Sequence, residues 1–353
     1  MTQGPDIHAA LARIRSGEVL ARTESNSVFE SLLNGALDDA QIGALLMALA
    51  ARGPSVAELA GAAAAMRAHV TPVAAPDEPG IRVIDTCGTG GAPKTFNVST
   101  AAAIVAAACE PNPESGVARV VVAKHGNRSR TGRGSAEVLA ALGVNVDASP
   151  DTQSACLHDA GVCFCFAIHH HPAMRYAAGP RRSLGFPTIF NLLGPLTNPA
   201  GASRQLIGVY AEPLVDLVAG ALVELGAEQA MVVHAEDGLD ELTVTAPTLV
   251  AHVENGTVRR ETIRPDTLGL RSATIDEVRV ESVEASAELI QRIIGGEEGP
   301  AADMVALTAA GALLVGGAAE SWPDAVARAR DAVASGRAQR TLAQLCERSH
   351  QTD

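Results

Sequence analysis

From His8 to Val70, apolar residues recur every three or four positions, a spacing that gathers them on one face of a helix. Two starts inside this stretch carry capping signals. Asp38-x-x-Gln41 precedes IGALLMALAARG, and Ser55-x-x-Glu58 precedes LAGAAAAMRAHV, with Gly53 placed to end the helix between them. The N-terminal region is therefore predicted to be a small helical unit. Thr71–Gly80 is rich in proline and glycine and reads as a linker. Beyond it the pattern changes to short β-branched runs at Arg82–Asp85, Ala118–Ala123, Val162–Ala167, Gln205–Tyr210 and Ala230–His234, most of them followed by helical patterns. Strands that alternate with helices predict a mostly parallel sheet covered by helices on its faces.

The expected fold class is thus α/β, with a small helical domain over 1–72 and a large sheet domain over 78–350. His171–Leu184 reads as helical and interrupts the alternation, so 171–190 is expected to leave the large domain and join the small one. Ala301–Gly316 and Pro323–Gln344 are expected to be helices, the first after a turn at Glu297–Pro300.

Composition narrows the function classes. At 353 residues the chain is long enough for two domains, and 47% hydrophobic with 19% charged residues is the balance of a folded globular protein. A net charge of −13 opposes broad binding to nucleic acid or anionic membranes, and 3% aromatic residues leave little for base stacking. Any phosphate ligand should be small. The six cysteines show neither zinc-ribbon spacing nor a disulfide framework. No apolar run has signal-peptide or transmembrane character, so a reducing cytoplasm is expected.

Candidate chemistry begins at Asp85-Thr-Cys-Gly88-Thr-Gly90-Gly91-Ala92-Pro93-Lys94-Thr95-Phe-Asn97-Val98-Ser99-Thr100, which follows a strand and leads into a helical run, Ala101–Cys109. Glycines let backbone amides approach an anion, a following helix aims N–H groups at the same place, and the hydroxyls of Thr95, Ser99 and Thr100 add donors. Pro93 occupies the second glycine of the nucleoside-triphosphate loop pattern and also breaks the dinucleotide pattern, so neither rival is supported. An ordinary glycine-rich turn is the alternative, and the loop alone does not separate the two.

A second motif, Lys124-His125-Gly126-Asn127-Arg128-Ser129-Arg130-Thr131-Gly132-Arg133-Gly134-Ser135, falls at the end of a strand, the usual ligand edge of an open α/β sheet. Lys124 offers a point charge and Asn127 can both donate and accept. A solvated basic loop is the competing reading. Asp240 and Glu241 are adjacent hard-oxygen carboxylates suited to Mg²⁺, or else a solvated turn. His169, His170 and His171 are consecutive and cannot all face one ion in regular structure, so a histidine metal site is not expected. Cys163 and Cys165 should share one side of a strand as core residues.

Together these segments resemble the anthranilate phosphoribosyltransferases, whose hallmarks GTGG, N-[VIL]-S-T and KHGNR stand here as Gly88–Gly91, Asn97–Thr100 and Lys124–Arg128. The similarity continues through His171-Pro172-Ala173-Met174, Arg181, Phe190–Pro199 and Gly238–Glu241, in order along nearly the whole chain. It implies a nucleoside-phosphorylase-type fold, a homodimer, and transfer of the phosphoribosyl group of 5-phosphoribosyl 1-diphosphate (PRPP) to the amine of anthranilate in tryptophan synthesis, with release of diphosphate.

Residue by residue, the resemblance assigns the donor to Gly88, Gly91, Ala92, Thr95, Asn97, Val98, Ser99, Thr100, Lys124, His125, Gly126, Asn127, Arg128, Ser129, Arg130, Thr131, Gly132 and Ser135. It assigns anthranilate to Gly88, His125, Asn127, His171, Arg181 and Pro195, with Arg181 on the carboxylate. Two Mg²⁺ ions would be held by Ser99, Asp240 and Glu241, with Lys124, Asp240 and Glu241 closest to the chemistry. Because the amine of anthranilate arrives unprotonated, His125 is expected to position rather than to act as an essential base.

Departures from the family pattern are local: Ala92 replaces a frequent aspartate, the loop after Arg128 is one residue shorter, Pro187 replaces a basic residue, and Glu110–Val117 is an insertion. They bear on donor affinity and loop closure. A pyrimidine nucleoside phosphorylase of the same broad fold is the enzyme alternative, and a silent nucleic-acid-binding relative the non-enzymatic one. Arg181, the NLLGPLTNP stretch and the Asp240-Glu241 pair favour the anthranilate enzyme over the first, and the acidic net charge speaks against the second.

Overall fold

The computed structural model describes residues 6–111, 116, 119–128 and 132–351. Seven strands form one sheet: β1 (Ile81–Gly88), β2 (Arg119–Gly126), β3 (Val162–Phe166), β4 (Arg204–Gly208), β5 (Gln229–Ala235), β6 (Thr248–Glu254) and β7 (Thr257–Ile263), in the order β3-β2-β1-β4-β5-β6-β7. The first five are parallel. Their residues are buried on both faces, which is why they read as continuous apolar runs such as Val120–Ala123 rather than as alternations. All five stand within a few residues of where the sequence places them: Ala167 opens a short helix, β4 stops at Gly208 short of Tyr210, and Ala118 lies outside the described residues.

β6 and β7 were not anticipated. They form an antiparallel hairpin at the sheet edge, turned by Asn255 and Gly256, both with positive φ. Asn-Gly is a strong hairpin signal, but β7 is mostly exposed and polar (Thr257-Val-Arg-Arg-Glu-Thr-Ile263), so it lacks an apolar stripe to mark it as a strand.

Two cores flank the sheet. One face packs against helices Val98–Ala107, Val283–Ile294 and Pro300–Val315 through Ile84, Leu206 and Met231. The other face, through Ile207, Val209 and Val232, packs under helix Pro213–Glu224 and continues without a break into the N-terminal helices. Those helices run Ile7–Arg15, Arg22–Leu33, Asp39–Arg52 and Val56–Ala68, and both predicted capping boxes form at Asp38 and Ser55. A side chain at Gly220 would collide with Val56, so the bare backbone there lets Pro213–Glu224 approach the fourth N-terminal helix closely.

Helix Arg175–Leu184 packs against Asp39–Arg52 and Arg22–Leu33, so this stretch touches the N-terminal helices. The proline-rich connection is pinned: Thr71 N–H donates to the His170 carbonyl (2.8 Å) and Val73 N–H to that of Pro199 (3.1 Å). Pro323–Gln344, expected as one helix, is two, Trp322–Ala334 and Arg337–Ser349. The break falls at Gly336, whose left-handed φ of 72° a continuous helix does not permit.

Candidate active site

The strand order reverses direction between β1 and β4, and an open α/β sheet has its natural crevice at the carboxyl ends beside such a switch point. Gly88 ends β1 and pairs in register with Gly208, which ends β4. Both glycines serve the loop that follows β5. A Cβ on Gly208 would sit 1.8 Å from the carbonyl oxygen of Asp240, and one on Gly88 would sit 3.2 Å from Asp240 Oδ2. The bare backbone at the end of β4 admits the Asp240 main chain, and that at the end of β1 gives its carboxylate room.

Asp240 receives the Gly90 N–H, which ties the acidic loop to the glycine-rich one, yet burial still holds its carboxyl above the ordinary range. Glu241, partly exposed but crowded by protein atoms, is pushed up to about 8, first by burial and then by Asp240. Lys124 and the Ser99 N–H act in the opposite direction. This is not a solvated turn.

Lys124, 2% exposed, reaches from β2 under β1 and donates from Nζ to the Thr86 carbonyl (2.6 Å) and to Ser99 Oγ (3.0 Å). Burial lowers its pKa while Asp85 and Glu241 support its charge. Asp85, wholly buried, accepts the His125 N–H through Oδ1 (3.0 Å), with the Asn198 amide and Cys87 thiol beside it. Asp85 therefore ties the start of the second motif to the strand that carries the first.

Helix Val98–Ala107 follows the glycine-rich loop as expected, but its first amides are not open. Val98 N–H bonds the Phe96 carbonyl, Thr100 N–H bonds that of Asn97, and Ser99 N–H turns to Glu241. An anion at this end would meet the loop and Lys124 rather than a row of unpaired helix N–H groups. Val98 and Thr100 are fully buried, so their side chains face the core. Thr95 is nearly so, while Gly88 and Gly91 are exposed and Ala92, Asn97 and Ser99 are partly so. Asn97 leaves its own helix uncapped and turns its side chain to Ser286.

Gly126 sits between the Phe164 ring and Ser135, where a Cβ would come within 2.7 Å of the ring. Asn127 and Arg128 are exposed, and Arg128 lies over Phe166 with its Cζ 5.6 Å from the ring centroid. Gly132 has a left-handed φ of 72°. Ser129, Arg130 and Thr131 lie outside the described residues, as does most of the insertion at Glu110–Val117.

The histidines behave differently. His169 faces Asp147 (2.8 Å), His170 bridges the Thr71 carbonyl and Gln153, and His171 meets His125, so no two of the three converge on a common ion. His125 Nδ1 faces the Gly194 carbonyl (3.0 Å) and must carry the proton. Its Nε2, 3.2 Å from His171 Nε2, is then the acceptor and His171 the donor. This leaves His171 Nδ1 as a bare lone pair, buried and without a partner. Burial, with the neighbouring imidazoles, pushes His125 down to about 3 and His171 to about 4, so both rings are neutral at physiological pH. Pro195 follows Gly194 in a buried turn whose carbonyl accepts from Gln205 (2.6 Å).

Arg181 projects from helix Arg175–Leu184 and lies over Phe190, with Cζ 5.1 Å from the ring centroid. Burial lowers its pKa, and among the described residues no carboxylate pairs with it. A partly desolvated guanidinium held over an aromatic ring suits a carboxylate partner.

Among the described residues no three His, Cys, Asp or Glu side chains form a metal cage. Two repelling carboxylates and a serine oxygen make an incomplete set of hard ligands, which fits Mg²⁺ that keeps waters and shares phosphate oxygens.

The chain matches two family descriptions: glycosyl transferase family, helical bundle domain, over residues 8–70, and glycosyl transferase family, a/b domain, over 80–339. It is 43% identical to the anthranilate phosphoribosyltransferase of Methylococcus capsulatus over 98% of both chains. With that of Methylobacterium radiotolerans it shares 46% identity, over 96% of this chain and 95% of the relative. The crystal structure of the Thermus thermophilus anthranilate phosphoribosyltransferase superposes with a TM-score of 0.87 at 38% identity, covering 97% of this chain and 99% of that one. The Saccharomyces cerevisiae enzyme, solved in complex with PRPP and Mg, gives 0.84 at 25% identity, covering 97% of each.

Proposed function

Since the chain belongs to the anthranilate phosphoribosyltransferase family and is thus an enzyme that moves a phosphoribosyl group from PRPP to anthranilate, we propose that the switch-point crevice between β1 and β4 is where transfer occurs. The observation that carries this reading is the convergence of Lys124, Ser99, Asp240 and Glu241 beside Gly88 and Gly208.

Breaking the ribose C1–O bond leaves negative charge on the departing diphosphate, so leaving-group stabilisation dominates the barrier. Mg²⁺, when bound, supplies positive charge to the phosphate oxygens. Asp240, Glu241 and Ser99 hold it, in our reading as two ions. Lys124 fixes Ser99 and adds a cation behind the site. Gly88, Gly91, Ala92, Thr95, Asn97, Gly126–Arg128, Gly132 and Ser135 shape the donor pocket.

Arg181 takes the anthranilate carboxylate and the neutral His125–His171 pair orients the ring, with Asn127 and Pro195 on its flanks. With both imidazoles neutral, the pair lies beside the amine without protonating it. The amine attacks C1 as the C1–O bond opens, and its proton leaves with the product diphosphate or water.

We assign residues 1–72 with 171–190 to a small domain and 78–350 to the large one, acting as a homodimer. Val19, in the connection between the first two helices, and Met47, on helix Asp39–Arg52, are exposed apolar residues available to a second copy. Six free cysteines suit a reducing cytoplasm, and among the described residues no helix is long and apolar enough to cross a membrane. Mixing the protein with anthranilate, PRPP and Mg²⁺ should consume anthranilate fluorescence. Persistent fluorescence beside an active control enzyme refutes the activity.

A further inference from the structure

Asn97 and Ser286 are 189 residues apart in sequence and hold each other by two hydrogen bonds. Ser286 lies one turn into helix Val283–Ile294, is 2% exposed, and has no place in the resemblance from which the site was first read. Its Oγ accepts the backbone N–H of Asn97 (3.1 Å) and donates its one proton to Asn97 Oδ1 (3.0 Å). Among the described residues that hydroxyl has no other acceptor. A reversed amide would therefore bury an unsatisfied hydroxyl proton. The Asn97 amide is thereby locked: its oxygen points to the helix, and its Nδ2 group, with two N–H donors, is left without a protein partner among the described residues.

The lock also changes what Asn97 does locally. Asparagine at the residue before a helix ordinarily caps that helix with its side-chain oxygen, yet here no such bond forms because Ser286 occupies the oxygen. The same strap reaches the second loop, where Arg133 Nη1 donates to the Val280 carbonyl (2.6 Å) and the Arg133 carbonyl receives Lys94 Nζ (3.2 Å). Val280–Ser286 thus touches both segments assigned to the donor, although it follows β7 and lies far from either in sequence.

We propose that Ser286 is a positioning residue for the donor: by fixing the orientation of Asn97 it presents two N–H donors, and no acceptor oxygen, to the phosphate and ribose oxygens of PRPP. The proposal rests on the assignment of Asn97 to the donor site. With the lock removed, the amide samples both orientations and can turn its oxygen toward an anion, which weakens donor binding and leaves the Arg181 side untouched.

The test is a double-mutant cycle read by calorimetric binding of PRPP with Mg²⁺ and by initial rates. S286A should weaken PRPP binding about tenfold, with half-saturating anthranilate unchanged. N97A should weaken it at least as much. The double variant S286A/N97A should be no weaker than N97A, because the proposed effect of Ser286 on the donor runs through the Asn97 side chain. S286C, which keeps the volume but hydrogen-bonds weakly, should reproduce most of the loss and guards against a packing defect in S286A. Unchanged PRPP binding in S286A and S286C, or losses that multiply in the double variant, overturns the proposal. If N97A itself binds PRPP normally, the assignment of Asn97 fails and the proposal falls with it. If N97A binds weakly and the Ser286 variants do not, the site assignment stands and only the lock is wrong.

Discussion

The two sides proposed for donor and acceptor, one at the ends of the sheet strands and the other reaching onto helix Arg175–Leu184, treat charge in opposite ways. On the donor side a buried lysine and two crowded carboxylates are forced together, so Glu241 rises to about 8 and Asp240 is also raised. On the side proposed for anthranilate the histidines are driven neutral, and Arg181 lies over an aromatic ring. The difference follows the chemistry each side would serve. A diphosphate with Mg²⁺ brings charges that relieve the repulsion, whereas an aromatic amine reacts only unprotonated and gains nothing from an imidazolium beside it.

The largest effect should come from removing the strained charge. E241Q should lower kcat/KM about a thousandfold, as loss of a principal electrostatic stabiliser does, with the fold intact by circular dichroism. Near-normal activity would dissolve the contrast. Gly208→Ala should come next, at about a hundredfold, because its Cβ must push the Asp240 backbone aside and misplacement by an ångström is that costly. Its signature is weakened Mg²⁺ and PRPP binding. R181A should raise half-saturating anthranilate by about tenfold or more, the worth of a charge-assisted hydrogen bond, while half-saturating PRPP stays within about twofold. Equal losses for both substrates would mean that the halves are not separate.

Much of this was legible in the sequence. Parallel strands buried on both faces announce themselves as apolar runs, whereas the glycines, the lysine and the paired carboxylates at strand ends point to a phosphate site only together with the ordered family motifs. What escaped depends on approach in three dimensions. Gly208 is itself a signal, since glycine in a strand often marks close backbone contact. Asp85 sits inside an apolar strand, where a wholly buried carboxylate asks for a partner. Ser286 carried no signal, because a serine on an amphipathic helix is indistinguishable from a surface residue until Asn97 is seen opposite it. The helix after the glycine loop was expected to offer free N–H groups, but Phe96, Asn97 and Glu241 claim them, an outcome that spacing along the chain cannot reveal.

The most direct test is the proton count when PRPP and Mg²⁺ bind, measured by calorimetry in buffers of different ionisation enthalpy. Glu241 has its pKa raised above the unfolded value, so in the free protein it holds a proton below about pH 8, and the charged pair weighs against the fold as pH rises through that range. Binding the cation requires the carboxylate. At pH 7 the wild type should release close to one proton more than E241Q, and the difference should vanish above about pH 9. The histidines, with pKa values of about 3 and 4, should contribute none. Identical proton release in the two proteins at pH 7, or a step that titrates near 6.5 and disappears with His125 or His171, would contradict the account.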